Sequence, residues 1–107
     1  MKLITAIIQP FMTDRLARAL RKSAVTGYTV TEVSGSGRDL SLSPDYLKPR
    51  VKFEIVANEP KVQEITKLIV DTVGRHLEGD GVIYVTDVVN FINVQTGQID
   101  HAALQVD

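Results

Sequence analysis

The sequence predicts an α+β fold with the element order β-α-β-β-α-β, and three observations carry that reading. Short apolar or alternating runs recur at Leu3–Ile8, Tyr28–Ser34, Val51–Ile55 and Val82–Val85. Two longer stretches, opening at Thr13 and at Asn58, repeat apolar residues at three- and four-residue spacing, the period of a half-buried helix. Glycine or proline punctuates the joins, at Gln9-Pro10, Gly27, Pro49 and Gly79-Asp80-Gly81.

Leu3–Ile8 is a compact apolar strand that stops at Gln9-Pro10. Thr13-Asp14 offers a helix start, with Leu16, Ala17, Leu20 and Ala24 on one face and Arg15, Arg18, Arg21 and Lys22 on the other. That cationic face reads first as a solvated surface and second as a partner patch. Gly27 ends the helix, and Tyr28–Ser34 is rich in Thr and Val, a strand signature. From Ser34 to Pro49 the periodicity is lost and Ser, Gly, Pro and Asp accumulate, so a long, flexible loop comes after the second strand. Val51–Ile55 alternates as a strand with one buried face. Asn58-Glu59-Pro60 opens a second helix whose stripe of Val62, Ile65, Ile69 and Val73 runs to about His76. Val82–Val85 is the fourth strand, Asp87–Val94 a short fifth strand or extended edge segment, and the tail from Thr96 has no clear pattern.

This order is the ferredoxin-like double unit, a sandwich of two helices on a four-stranded sheet. Two helices cover one face of such a sheet. The first and last strands nevertheless carry apolar residues on both faces: Ile4, Ala6 and Ile8 against Leu3 and Ile7, and Ile83 and Val85 against Val82 and Tyr84. An open apolar face predicts an oligomer.

Composition narrows the function classes. At 107 residues the chain reads as a single domain over 1–107, and 44% hydrophobic with 23% charged residues is the balance of a globular protein. A net charge of -1 offers no basic field for nucleic acid. The absence of cysteine excludes disulfides, thiolate metal sites and cysteine nucleophiles. No run is long enough to span a bilayer, and Met1–Pro10 is too short and strand-like for a signal peptide, so the expectation is a cytoplasmic protein without direct membrane insertion.

Two glycine turns are the candidate ligand cradles. Gly35-Ser36-Gly37 ends a strand and could present backbone N–H groups to an anion, with Arg38 adding a planar fork suited to phosphate; it reads equally as the flexible opening of a long loop. Gly79-Asp80-Gly81 is either a plain helix-to-strand turn or a site where a ligand approaches the backbone, with Asp80 bonding an adenine, a ribose or its own turn. His76 and His101 have no partners at ligand spacing, so no metal site is expected, and no nucleophile sits beside a base, so no enzyme and no catalytic cofactor are expected.

Five ordered blocks, Lys2–Phe11, Gly27–Arg38, Pro49–Val56, Gly79–Val85 and Thr96-Gly97, resemble the P-II signalling superfamily over nearly the whole chain. The resemblance implies a homotrimer that binds adenine nucleotides between subunits, with a mobile loop, here about 38–49, engaging a target protein. It implies that Gly27, Thr29, Gly35, Ser36, Gly37, Arg38 and Val56 line one side of the cleft, and Ile7, Gly79, Asp80, Gly81 and Val82 the other, from the neighbouring subunit. The loop contacts would be Asp39, Leu40, Leu42, Asp45, Tyr46, Lys48 and Arg50.

The departures from the family pattern are directional. Asp39 stands where a glutamine is usual, Val82 where a lysine is usual, and Asn93 and Gln95 where two arginines are usual; the loop is also shorter. Charged hydrogen bonds are worth about 1.5–3 kcal/mol each, so these losses imply weaker binding of ATP than of AMP, ADP or a cyclic adenine nucleotide, and they count against a 2-oxoglutarate site. The pattern resembles P-II-like branches tied to carboxysomes and bicarbonate transporters, which implies bicarbonate as a further ligand and a membrane transporter or other regulated protein as the partner. Branches tied to heavy-metal efflux and nitrogen-regulatory P-II proteins are the alternatives.

Overall fold

A computed structural model of the chain describes residues 1–23, 25, 27–37 and 47–99. The elements run in the order β1 (Lys2–Ile8), a single 3-10 turn (Pro10–Met12), α1 (Thr13–Lys22), β2 (Thr29–Gly35), β3 (Lys48–Ala57), α2 (Glu59–Val73) and β4 (Gly81–Asp87). The four strands form one antiparallel sheet in the order β2-β3-β1-β4. This is the ferredoxin-like arrangement read from the sequence.

Alternation decides which face is covered. Ile4, Ala6 and Ile8 of β1 pair in register with Ile55, Phe53 and Val51 of β3, and all six are buried under the helices. Leu16 and Leu20 of α1 and Ile65, Ile69 and Val73 of α2 close the core at helical spacing. The Tyr28 ring lies 5.6 Å from that of Phe53 and seals the side next to β2. The 3-10 turn and α2 each carry a proline in the first turn, where the missing N–H costs nothing.

The helices cover β1 and β3 and leave both edge strands open. Every residue of β2 and β4 is exposed or half-buried. On the face away from the helices, Leu3 and Ile7 stand beside Val82 and Tyr84. Only Thr5 is buried there, at 3% exposure between its cross-strand neighbours Glu54 and Tyr84.

Four boundaries differ from the sequence reading. α1 ends at Lys22, not at Gly27: Ser23 turns extended and donates its N–H to Leu20 O at 3.1 Å. α2 ends at Val73, not near His76: the Gly74 N–H donates to Val70 O at 2.9 Å, the chain turns extended at Gly74, and His76 takes a left-handed φ of 58°. β3 begins at Lys48, so Lys48 and Arg50 belong to a strand paired with Gly35 and Val33 rather than to the loop. No fifth strand forms at 87–94 among the described residues. Val88 donates one last bond, to Met1 O, at the end of the β1–β4 ladder. Beyond it the chain forms a turn closed by a bridge between Ile92 and Ile99. Ala24, Arg38, Asp39, Leu40, Leu42, Asp45, Tyr46 and His101 lie outside the described residues. No described helix is long and apolar enough to cross a membrane.

Candidate functional site

Both glycine turns sit at one end of the sheet. Ile8 closes β1 opposite Gly81 of β4 and Val51 of β3, and Val51 pairs in turn with Glu32 of β2. The β2–β3 ladder then runs three pairs further, to Gly35 opposite Lys48. The turns nevertheless occupy opposite edges. Three strand spacings separate them by about 14 Å across the sheet, and the longer ladder adds about 10 Å along it. One protomer does not bring them together around one phosphate group.

The Gly79–Gly81 turn is held by its own chain. Asp80 accepts the backbone N–H of Arg75 at 2.7 Å and of Leu77 at 3.1 Å, and the Arg75 Nε–H at 2.9 Å. The backbone donors first, and then the Arg75 guanidinium, hold the Asp80 carboxyl below its usual value. The same guanidinium lies 4.9 Å above the Phe11 ring, and Gln9 Nε2 donates to Gly79 O at 2.6 Å. Gly79 and Gly81 have φ of 87° and 134°, where a side chain is strained. A Cβ on Gly81 would also lie 2.2 Å from Ile7 O. Of the three roles open to Asp80 in sequence, the structure thus shows the bond to its own turn. The close approach that requires Gly81 is to β1.

The other turn has no such demands. A Cβ on Gly35 or Gly37 would meet nothing within 4 Å, and neither needs a left-handed φ; the same holds for Gly27. Nothing in the described protomer explains why these positions lack a side chain.

The remaining candidates fall into two groups. Ile7 and Val82 are direct cross-strand partners on the uncovered face, Val82 being 58% exposed. Asp80, Gly81 and Val82 also border a groove of about 510 Å³ between the end of α2 and β4, walled by Ile8, Ile69 and Ile83. Thr29 and Val56 share the uncovered face at the opposite end of the sheet, so the residues expected on one side of a cleft are strung over about 20 Å of β2. His76 stands apart from any group of three metal-ligating side chains among the described residues.

Sequence reasoning missed Gln9, Phe11 and Arg75, which clamp the rigid turn from segments without any shared periodicity. It also missed the role of Asn93, whose Oδ1 accepts the Gln95 N–H at 2.8 Å and the Thr96 N–H at 3.4 Å while Gly97, at φ 70°, donates to Asn93 O at 2.7 Å. The Asn-x-x-x-Gly spacing was a readable turn signal. Asn93 therefore works as the nucleus of a turn.

The profile of the family described as Nitrogen regulatory protein P-II matches residues 1–98. The chain belongs to the P-II family. It is similar to the Nitrogen regulatory protein P-II of Klebsiella oxytoca and to Nitrogen regulatory protein P-II 1 of Escherichia coli K12, each 40% identical with 97% of this chain and the whole of the relative covered. The P-II protein of Porphyra purpurea is 36% identical over the same shares. P-II proteins are signalling regulators that bind adenine nucleotides as effectors, assemble as trimers and act on partner proteins. Placed on this chain, the P-II blocks at Gly35–Gly37 and Gly79–Val82 are the two turns at the opposite sheet edges.

Proposed function

We propose that this P-II protein is a nonenzymatic sensor that binds AMP or ADP in preference to ATP between the subunits of a homotrimer. One observation carries the reading: the two turns lie on opposite edges of one sheet and meet only if the Gly35–Gly37 edge of one copy faces the Gly79–Val82 edge of the next. Gly35 and Gly37, unexplained by the described residues of the protomer, would then leave room for a nucleotide against the backbone, with Gly27, Thr29, Arg38 and Val56 on that side and Ile7, Gly79, Asp80, Gly81 and Val82 on the other. The uncovered apolar residues Leu3, Ile7, Val82 and Tyr84 support burial against further copies.

The preference for short phosphate chains rests on charge. Val82, Asn93 and Gln95 supply no cation, and Asn93 is committed to its turn. Isothermal calorimetry with AMP, ADP and ATP with magnesium tests it: ATP with magnesium binding at least as tightly as ADP overturns the preference, and a monomer by light scattering overturns the intersubunit site.

The loop between β2 and β3, with Asp39, Leu40, Leu42, Asp45 and Tyr46, and Lys48 and Arg50 at its strand-borne base, would capture the regulated partner. A transporter of inorganic carbon, with bicarbonate as co-effector, is the first reading and rests on the missing cations. The names of full-length relatives at 40% identity favour a second, regulation of nitrogen metabolism. A thermal-shift panel separates them, because a ligand of the folded state raises its apparent stability. A shift with bicarbonate supports the first, and a shift with 2-oxoglutarate in the presence of ATP and magnesium supports the second.

A further inference from the structure

We propose that the outward face of α1 is a docking surface for an acidic polypeptide segment of a partner protein. Four of the chain's 12 lysines and arginines, Arg15, Arg18, Arg21 and Lys22, lie within α1, where Asp14 is the single acid. All four are exposed, and among the described residues none makes an ion pair or a side-chain hydrogen bond. The neighbouring helix is built differently: in α2, Lys61 pairs with Glu64 at 3.6 Å and Lys67 with Asp71 at 2.6 Å. Arg15 with Arg18, Arg18 with Arg21, and Arg18 with Lys22 are like charges at i,i+3 or i,i+4 spacing, a repulsion that the single acid Asp14, at i,i+4 from Arg18 but in no ion pair with it, offsets only in part.

Carboxylates from outside would relieve it. Three of the four cations are arginines, whose planar forks bind carboxylates two bonds at a time and so suit a defined partner better than diffuse attraction does. The stripe is short, about 11 Å of helix, and the apolar side of α1 is committed to the core through Leu16 and Leu20. No hydrophobic face remains for a bilayer. A flat membrane fits poorly for a second reason, which rests on the trimer proposed above. In a ring closed through the uncovered sheet faces, the α1 layers point outward in three directions, and one plane touches at most one of them. A protein segment can engage each protomer separately.

The test titrates the full-length, 15N-labelled protein with a short Glu/Asp-rich peptide at about 0.15 M salt, where exposed charges more than about 8 Å apart are largely screened. The expected result is amide shifts confined to α1. Binding should weaken by about tenfold or more in the quadruple variant R15Q/R18Q/R21Q/K22Q and in Arg18→Glu, with ADP affinity unchanged in both. Unaltered peptide binding in the variants, loss of binding at this salt, or equal or tighter binding of phosphatidylserine vesicles or duplex DNA overturns the proposal. Light scattering on the same samples reports the trimer separately, so a failed ring and a failed docking face give different results.

Discussion

The two glycine turns share one end of the sheet and differ in what holds them. Gly79–Gly81 is over-determined: a carboxylate with three donors, an arginine on a ring, a glutamine on a carbonyl, and two glycines in φ ranges closed to other residues. Among the described residues, Gly35 and Gly37 meet no neighbour that would bar a Cβ. Glycine at the first turn answers to the fold, and no described residue of the protomer demands glycine at the second. A composition of small residues alone does not distinguish these cases; the surroundings of the missing Cβ do.

The largest break in this contrast comes from Gly81→Ala. A Cβ 2.2 Å from Ile7 O, at φ 134°, should destabilise the protein by about 2–4 kcal/mol, read by urea unfolding. A loss near zero would mean that the turn relaxes freely and is no more constrained than its counterpart. Gly35→Ala and Gly37→Ala are expected to do the opposite. Stability should change by less than about 0.5 kcal/mol, while ADP affinity by calorimetry falls about tenfold. Unchanged affinity in both would remove the ligand as the reason for these glycines.

Asp80→Asn tests the clamp through pH. The Asp80 carboxyl is lowered in the folded protein from its ordinary 3.8, so at acid pH the unfolded chain binds the extra proton. Its contribution is therefore complete above that ordinary value and is lost as pH falls through the lower, folded one. Wild type and Asp80→Asn should differ in melting temperature at neutral pH and converge at strongly acid pH. A gap that stays constant into acid would show that the charge is irrelevant to the clamp. The smallest effect is expected of Phe11→Leu, which removes an exposed cation–π contact worth about 0.5–1 kcal/mol. A double-mutant cycle with Arg75→Gln isolates that coupling, and a zero coupling would strip the contact from the clamp.

Much of the fold was legible because burial and periodicity coincide. Ile4, Ala6 and Ile8 alternate, Ile65, Ile69 and Val73 repeat at helical spacing, and both sets are buried. Boundaries failed where the deciding contact was non-local. β3 starts early because β2 pairs with it as far as Lys48, and after Asp87 the chain leaves the sheet for a turn closed by the bridge between Ile92 and Ile99. The site was legible as two motifs and illegible as an arrangement. Neither the separation of the turns across two intervening strands nor the clamp of Gln9, Phe11 and Arg75 has any period in the chain.

By itself, then, the amino-acid order determined the succession of two helices and four strands and the family, since these rest on local propensity, alternation and ordered motifs. Only the tertiary structure decided that Asp80 serves its own turn, that Gly81 is demanded by β1 while Gly35 and Gly37 are not, and that the two turns stand at opposite edges. Those are facts of which distant atoms come within a few ångströms of one another, and sequence separation carries no distance once the sheet has formed.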